Sequence, residues 1–207
     1  MCIIASSRVG MRQPTDKEFT ACFVNNPHGA GYMFARNGEI HIHKGFMTLH
    51  DFLSAVHAEK FTADDAVVYH FRISTQAGIS PFMTHPFPWS KNLEDMELLD
   101  CVSKECAFAH NGIIHCTSDP NNKRHSDTAL FITKLMPSII QGDADLRDDK
   151  VLDLIDTMTN SKWAIMDSSG YIAHVGEFIN DDGLLFSNHS FQTQPYRYTP
   201  YSHFSLD

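Results

Sequence analysis

The chain has 207 residues, 43% hydrophobic and 20% charged, an ordinary globular composition long enough for one well-buried domain and too short for two full-sized enzymatic ones. A formal charge of −9, with few clusters of Lys and Arg, argues against a grip on phosphate backbones, so nucleic acid is not expected as a direct partner. No stretch approaches the roughly 18 apolar residues of a membrane span. The opening MCIIASSRVG has no basic leader, so the expectation is a cytoplasmic protein with no membrane partner.

In chain order, Cys2-Ile-Ile-Ala5 predicts a buried strand. Thr15-Asp-Lys-Glu18 is a capping-box pattern, and Phe19, Cys22 and Phe23 behind it share one helical face that Asn26-Pro-His-Gly29 brings to an end. Residues 31–36 and 39–43 flank Asn37-Gly38, a hairpin signal. Leu49, Phe52, Leu53 and Val56 make the apolar stripe of a second helix after Thr48. Ala66–Ile73 is rich in β-branched and aromatic residues and predicts a strand, and 74–92, polar with three prolines, predicts a loop across the surface. Residues 106–109 and 113–116 predict two strands separated by His110-Asn-Gly112. Ser126 is placed to cap a helix from Asp127 to about Met136, a further helix covers roughly Asp148–Met158, and 163–166 and 171–174 form a late hairpin around Asp167-Ser-Ser-Gly170. Strands joined by hairpins, with helices in separate groups, favour an α+β fold with antiparallel sheets, read as a single domain over 1–207 whose tail from about 190 has no legible shape.

Four pieces of sequence carry chemistry. A Cys directly after the initiator Met, once Met1 is removed, joins a thiol to a free α-amine able to take its proton; the plainer reading of Cys2 is a residue that begins a strand. At Ala109-His-Asn-Gly-Ile-Ile114, the Asn111 amide and the Gly112 N–H are placed to point at one oxygen, as an oxyanion hole requires, or to form an ordinary Asn-Gly turn. Arg72, at the end of a buried strand, calls for an anion, either a substrate carboxylate or a structural salt-bridge partner. Asp127 suits a helix cap or a ligand ammonium.

Together these pieces resemble the glutaminase domain of class II glutamine amidotransferases. The resembling elements stand in the family's order: Met-Cys at the start, Asn26-Pro-His-Gly-Ala-Gly31, His70-x-Arg72-x-Ser-Thr75, His85-Pro-Phe87, Ala109-His-Asn-Gly-x-Ile114 and Ser126-Asp127. The resemblance implies a four-layer αββα N-terminal-nucleophile hydrolase sandwich with Cys2 as nucleophile. It also implies Asn111 and Gly112 as oxyanion hole, Arg72 as clamp for the glutamine α-carboxylate and Asp127 as partner of its α-ammonium. Thr75 and His85 would line the glutamine pocket or brace its loop. The implied reaction hydrolyses the glutamine side-chain amide through a γ-glutamyl thioester, needs no cofactor, and releases ammonia for a separate synthetase subunit or other acceptor, since the chain has no room for a synthetase domain. Two departures fall at His28, where family members often carry an acidic residue, and in the Ser-Thr-Gln-Ala-Gly run after Arg72.

Other readings start from the same residues. Thirteen His and five Cys raise the question of metal, but Cys101, Cys106, His110, His115 and Cys116 lack a standard zinc spacing and His41-x-His43 lacks a third ligand, so no metal is expected. An N-terminal-nucleophile hydrolase acting on another amide or γ-glutamyl compound would keep the fold and change the substrate. A binding protein would keep the fold without turnover.

Overall fold

The computed structural model describes residues 1–74, 78–117 and 124–192. Its α+β fold has two antiparallel sheets. The first strand, β1 (Ile3–Ser7), is followed by α1 (Asp16–Asn25), whose capping box closes as the sequence predicts: Thr15 Oγ1 accepts from Glu18 N–H, and the Glu18 carboxylate accepts from Thr15 N–H. Strands β2 (Ala30–Arg36) and β3 (Glu39–Phe46) form the Asn37-Gly38 hairpin, with both turn residues at positive φ (57° and 76°). Helix α2 (Leu49–Glu59) starts at the Thr48 cap, and β4 (Val67–Phe71) follows.

The middle of the chain departs from expectation. Segment 74–92 runs over the surface only in part: among its described residues Gly78, Ile79, Pro81, Lys91 and Asn92 are exposed, but Met83 through Pro88 are buried, and β5 (Phe87–Pro88) pairs with β7 (Cys106–Asn111). Strand β6 (Asp100–Ser103) adds to the edge of β3. The strand expected over 113–116 does not form. Ile114 is buried in the core and its N–H is taken by Asp127 Oδ2, so the chain turns into a short 3-10 segment (His115–Thr117) instead of pairing back on β7. Ser126 caps α3 (Asp127–Lys134), which leads into α4 (Met136–Ile139), and α5 (Asp149–Thr159) precedes β8 (Lys162–Asp167), β9 (Ile172–Val175), β10 (Ile179–Asp181) and β11 (Leu184–Phe186). The larger sheet runs β10-β11-β1-β4-β2-β3-β6 and the smaller β5-β7-β8-β9.

Strand periodicity sorts the core into three parts. Ile3, Ala5, Tyr32, Phe34, Tyr69 and Phe71 leave one face of the larger sheet and meet Phe19 and Cys22 of α1 and Phe52 of α2. Their alternates Ile4, Met33, Ile40, Ile42 and Val68 meet Ala107, Ala109, Ala164 and Met166 of the smaller sheet, whose small alanines admit the bulkier partners. The other face of the smaller sheet, with Phe108, Trp163 and Ile165, packs on Ala129, Phe131 and Ile132 of α3 and Ile155 of α5. None of the five cysteines is in a disulfide, and among the described residues no helix is long and apolar enough to cross a membrane.

Phe52 is fully buried and edge-on to Phe19 and Phe71, whereas Val102 is half-exposed on the edge strand β6. Phe52→Ala is expected to cost about 3–5 kcal/mol in denaturant unfolding. Val102→Ala should stay within about 0.5 kcal/mol. Equal losses would contradict the placing of the core between α2 and the larger sheet.

Candidate functional site

The site begins with a register. Ile3 lies opposite Phe71 in the antiparallel pair β1–β4, so the next residues outward, Cys2 and Arg72, are neighbours just past the strand ends. Counting in twos from Ile4 and Val68, which face the smaller sheet, Cys2 and Arg72 carry the parity of that same side. Asn111, in step with Ala107 and Ala109, carries the inward parity of β7. Thus a thiol, a guanidinium and a carboxamide come from three strands toward one end of the space between the sheets.

Cys2 is half-buried, with Sγ 3.5 Å from Ile73 N and 3.6 Å from Ile73 O. Burial pushes its thiol above the ordinary value, opposed by the Ile73 N–H, the Arg72 charge and the terminal amine. Arg72 is buried: Nη2 donates to Gly78 O at 3.2 Å, while Nη1 has no partner among the described residues. Burial pulls the guanidinium down, and the charges of Cys2 and Asp127 pull it back up, so both lie within its electrostatic reach. An inward-facing cation with an idle donor is a ready site for a carboxylate.

The glycine-containing segment before β2 lies against this strand end. His28 N–H donates to Arg72 O (2.9 Å), Arg72 N–H to Gly29 O (2.8 Å), and Ser74 N–H to His28 Nδ1 (2.8 Å). His28, the departure from the family pattern, therefore anchors the backbone that follows Arg72. A Cβ at Gly31 would run into the His85 carbonyl and Lys44 Cβ, which explains the glycine there.

Asn111 is buried, with Nδ2 at 2.9 Å from Ser187 Oγ and Oδ1 without a partner among the described residues. It ends β7 and does not turn a hairpin, because its strand neighbour is Lys162 of β8. Gly112 must lack a side chain: a Cβ would collide with Ser161 Cβ. Asp127, just inside α3, accepts from Ile114 N–H (2.5 Å, Oδ2) and Thr128 N–H (2.9 Å, Oδ1), while Ser126 Oγ makes the cap by accepting from Ala129 N–H (3.1 Å). His85 is buried and braces β7 without opening to solvent: its Nδ1 accepts from His110 N–H at 3.2 Å. Thr75 lies outside the described residues.

Sequence reasoning missed four participants. Ser187 and Asn188 follow β11, and Asn188 Nδ2 donates to Cys2 O at 2.6 Å. Lys44 Nζ donates to Phe82 O (3.0 Å) and Met96 O (2.6 Å) over the face of Phe87, tying 82–96 to β3; burial pulls it down to about 7. His110 joins Thr128 Oγ1 and Ser161 Oγ, both at 2.8 Å, linking the strand end to α3 and to the residue that crowds Gly112. The sequence signal available was Lys44, charged in an otherwise strand-like run; Ser187-Asn188 gave none.

Other groups fail as sites. Ser6 and His174 touch at 2.8 Å, but Arg8 Nη2 donates to His174 Nδ1, so the Nε2 facing Ser6 carries the proton and cannot act as a base. A cleft of about 430 Å³ beside Trp89 and Gln141 reaches Cys106, at the opposite end of β7 from Asn111. Among the described residues no group of three His, Cys, Asp or Glu is gathered to hold a metal.

Neither the models of known protein families nor the curated proteins give a significant match to this chain.

The buried histidines predict an acid limit. Burial pulls His70, His110 and His174 from 6.5 down to about 3, and His85 also well below 6.5. Folded values below the unfolded one mean that their stabilisation is complete above about pH 6.5 and drains as the pH falls, at up to about 1.4 kcal/mol per pH unit for each group. Urea unfolding at pH 7, 6 and 5 should show a steep loss, and a flat stability over that range would contradict neutral burial.

Proposed function

We propose that this protein is a glutamine amidohydrolase of the class II glutamine amidotransferase type, built on a four-layer αββα N-terminal-nucleophile sandwich, with Cys2 as nucleophile after removal of Met1. The observation that carries the reading is the junction of β1 and β4, where the Cys2 thiol stands beside Arg72, a buried cation whose Nη1 has no partner among the described residues. Supporting it, the three cores stack helices, sheet, sheet and helices in that order, and Asp127 lies within the electrostatic reach of Arg72.

Because burial holds the thiol in its protonated form, attack needs a base. Loss of Met1 makes the Cys2 nitrogen an α-amine, with an ordinary pKa near about 8, suited to take the thiol proton. The thiolate then attacks the side-chain amide carbon of glutamine, and the charge on the amide oxygen is met by the Asn111 carboxamide and the Gly112 N–H. The ammonium form of the amine returns its proton to the leaving nitrogen, ammonia departs, and water cleaves the γ-glutamyl thioester to glutamate and free thiol. Arg72 clamps the α-carboxylate and Asp127 the α-ammonium; holding both ends of the headgroup fixes the amide over Cys2. His85 acts through the backbone of His110, next to the oxyanion donor. The ammonia goes to a separate synthetase subunit, and the enzyme works in the cytoplasm without a cofactor.

Processed protein should release ammonia and glutamate from glutamine, and Cys2→Ala should abolish release; unchanged release in Cys2→Ala protein would remove the mechanism. Arg72→Ala should raise KM for glutamine by roughly 10- to 100-fold, since one charge-assisted contact is worth about 1.5–3 kcal/mol. An unchanged KM would place the carboxylate elsewhere. Asn111→Ala should lower kcat by roughly 100-fold or more with a smaller change in KM. A destabilised variant with normal kcat would make Asn111 a structural residue only.

A further inference from the structure

We infer that Ser187 is a positioning residue: its hydroxyl sets which end of the Asn111 carboxamide is free for a ligand, and the Ser187-Asn188 link fixes that carboxamide relative to Cys2. The catalytic consequence rests on the function proposed above; the geometry stands without it.

Past β11 the chain continues alongside β1. Ser187 N–H donates to Ile4 O and Ile4 N–H donates to Ser187 Oγ, both at 2.9 Å. Asn188 Nδ2 donates to Cys2 O at 2.6 Å, and Ser190 N–H, donating to Asn188 Oδ1 at 2.9 Å, holds that amide in place. On the other side, Lys162 Nζ donates to Ser187 O at 2.7 Å, and Lys162 is the strand partner of Asn111. Two consecutive residues thus bridge the strand that begins at the thiol and the two strands that present the carboxamide.

The hydroxyl then decides an orientation. Ser187 is fully buried, and its oxygen has two lone pairs and one hydrogen. Ile4 N–H takes one lone pair, leaving the hydrogen and the second lone pair for Asn111, the other side chain in contact with Oγ. With Nδ2 toward Ser187, the Asn111 oxygen is buried without a partner among the described residues, and the hydroxyl hydrogen goes unused. With the amide turned over, Ser187 O–H donates to Asn111 Oδ1, the unpartnered acceptor is satisfied, and both Nδ2 protons are released. The turned form uses the hydroxyl hydrogen and leaves Nδ2, not Oδ1, as the group without a partner, and that group is a donor, which an oxyanion needs. Alanine at 187 removes the group that selects it.

The test compares Ser187→Ala in wild-type and Asn111→Ala backgrounds, reading kcat and KM for glutamine, the rate of Cys2 alkylation by iodoacetamide, and the side-chain amide NMR signals of Asn111. Those signals are identified by their loss in Asn111→Ala. Ser187→Ala should lower kcat by roughly 10- to 100-fold. KM and alkylation should stay within about threefold, and in the Asn111→Ala background the same change should cost under about twofold, because the two act as one unit. The Asn111 amide signals should shift. Equal loss of kcat in both backgrounds, a parallel fall in alkylation, or unmoved amide signals would overturn the inference. Should the alanine variant not fold, Ser187→Cys, close in shape and weaker as a donor, is read by the same criteria. Wild-type protein inactive on glutamine would end the proposed function alone, and the amide signals would still decide the inference.

Discussion

The antiparallel register of β1 against β4 governs the rest of the candidate site. Placing Ile3 opposite Phe71 makes Cys2 and Arg72 adjacent and gives both the parity of the inter-sheet side. A slip of β1 by one residue would exchange its two faces: Ile4 would turn to the helices, and the thiol would leave the space between the sheets while the guanidinium on β4 stayed behind. The aromatic packing of Phe71, Tyr69 and Tyr32 against Phe19 and Phe52 resists that slip. The same large side chains that stabilise the fold thereby hold the chemistry in place.

The second sheet must meet the first in a defined position, and polar groups do this at the site's end where alanines do it farther in. His70 Nε2 from β4 reaches His110 O at 3.1 Å, and His110 N–H is held by His85, so the backbone on both sides of His110, just before Asn111, is held by two buried neutral histidines. Ser187 and Asn188 add a third tie, from β1 to Asn111. Buried polar contacts of this kind are costly unless fully paired, and among the described residues three of the five buried side-chain atoms without a hydrogen-bond partner, on Arg72, His70 and Asn111, lie around these same strand ends, the other two being on Asn26 and Asp167. That pattern suits a place reserved for a polar ligand.

Much of this was legible in the sequence because it is local. The capping box at Thr15, the Asn37-Gly38 turn, the Thr48 and Ser126 caps, and the alternation in 66–73 each have a mechanism within a few residues. Arg72 was readable as a strand-end cation, and Asn111-Gly112 as a polar break after an apolar run. What escaped depends on distant partners. The strands β6, β10 and β11 have three or four residues each and are fixed by pairing, β6 with β3, β11 with β1 and β10 with β11. The expected strand at 113–116 lost its backbone to Asp127, a competitor outside the local window. The buried stretch 83–88 looked like surface because its prolines and polar residues carry no record of Lys44, which ties the flanking Phe82 and Met96 carbonyls to β3. Ser187 and Asn188 had no motif, since their role lies wholly in which strands they join. Asp127 was read as either cap or ligand group, and the cap fell to Ser126, leaving Asp127 to hold Ile114 and Thr128.

The central claim is that a processed Cys2 forms a covalent bond to the substrate acyl group. Rapid acid quench of the enzyme with glutamine, followed by intact mass measurement and mapping of the N-terminal peptide, tests it most directly. The account predicts a chain lacking Met1 that carries one γ-glutamyl group on Cys2, with no such group in Cys2→Ala protein. Turnover of glutamine by protein that retains Met1, or an acyl group on any other residue, would contradict it.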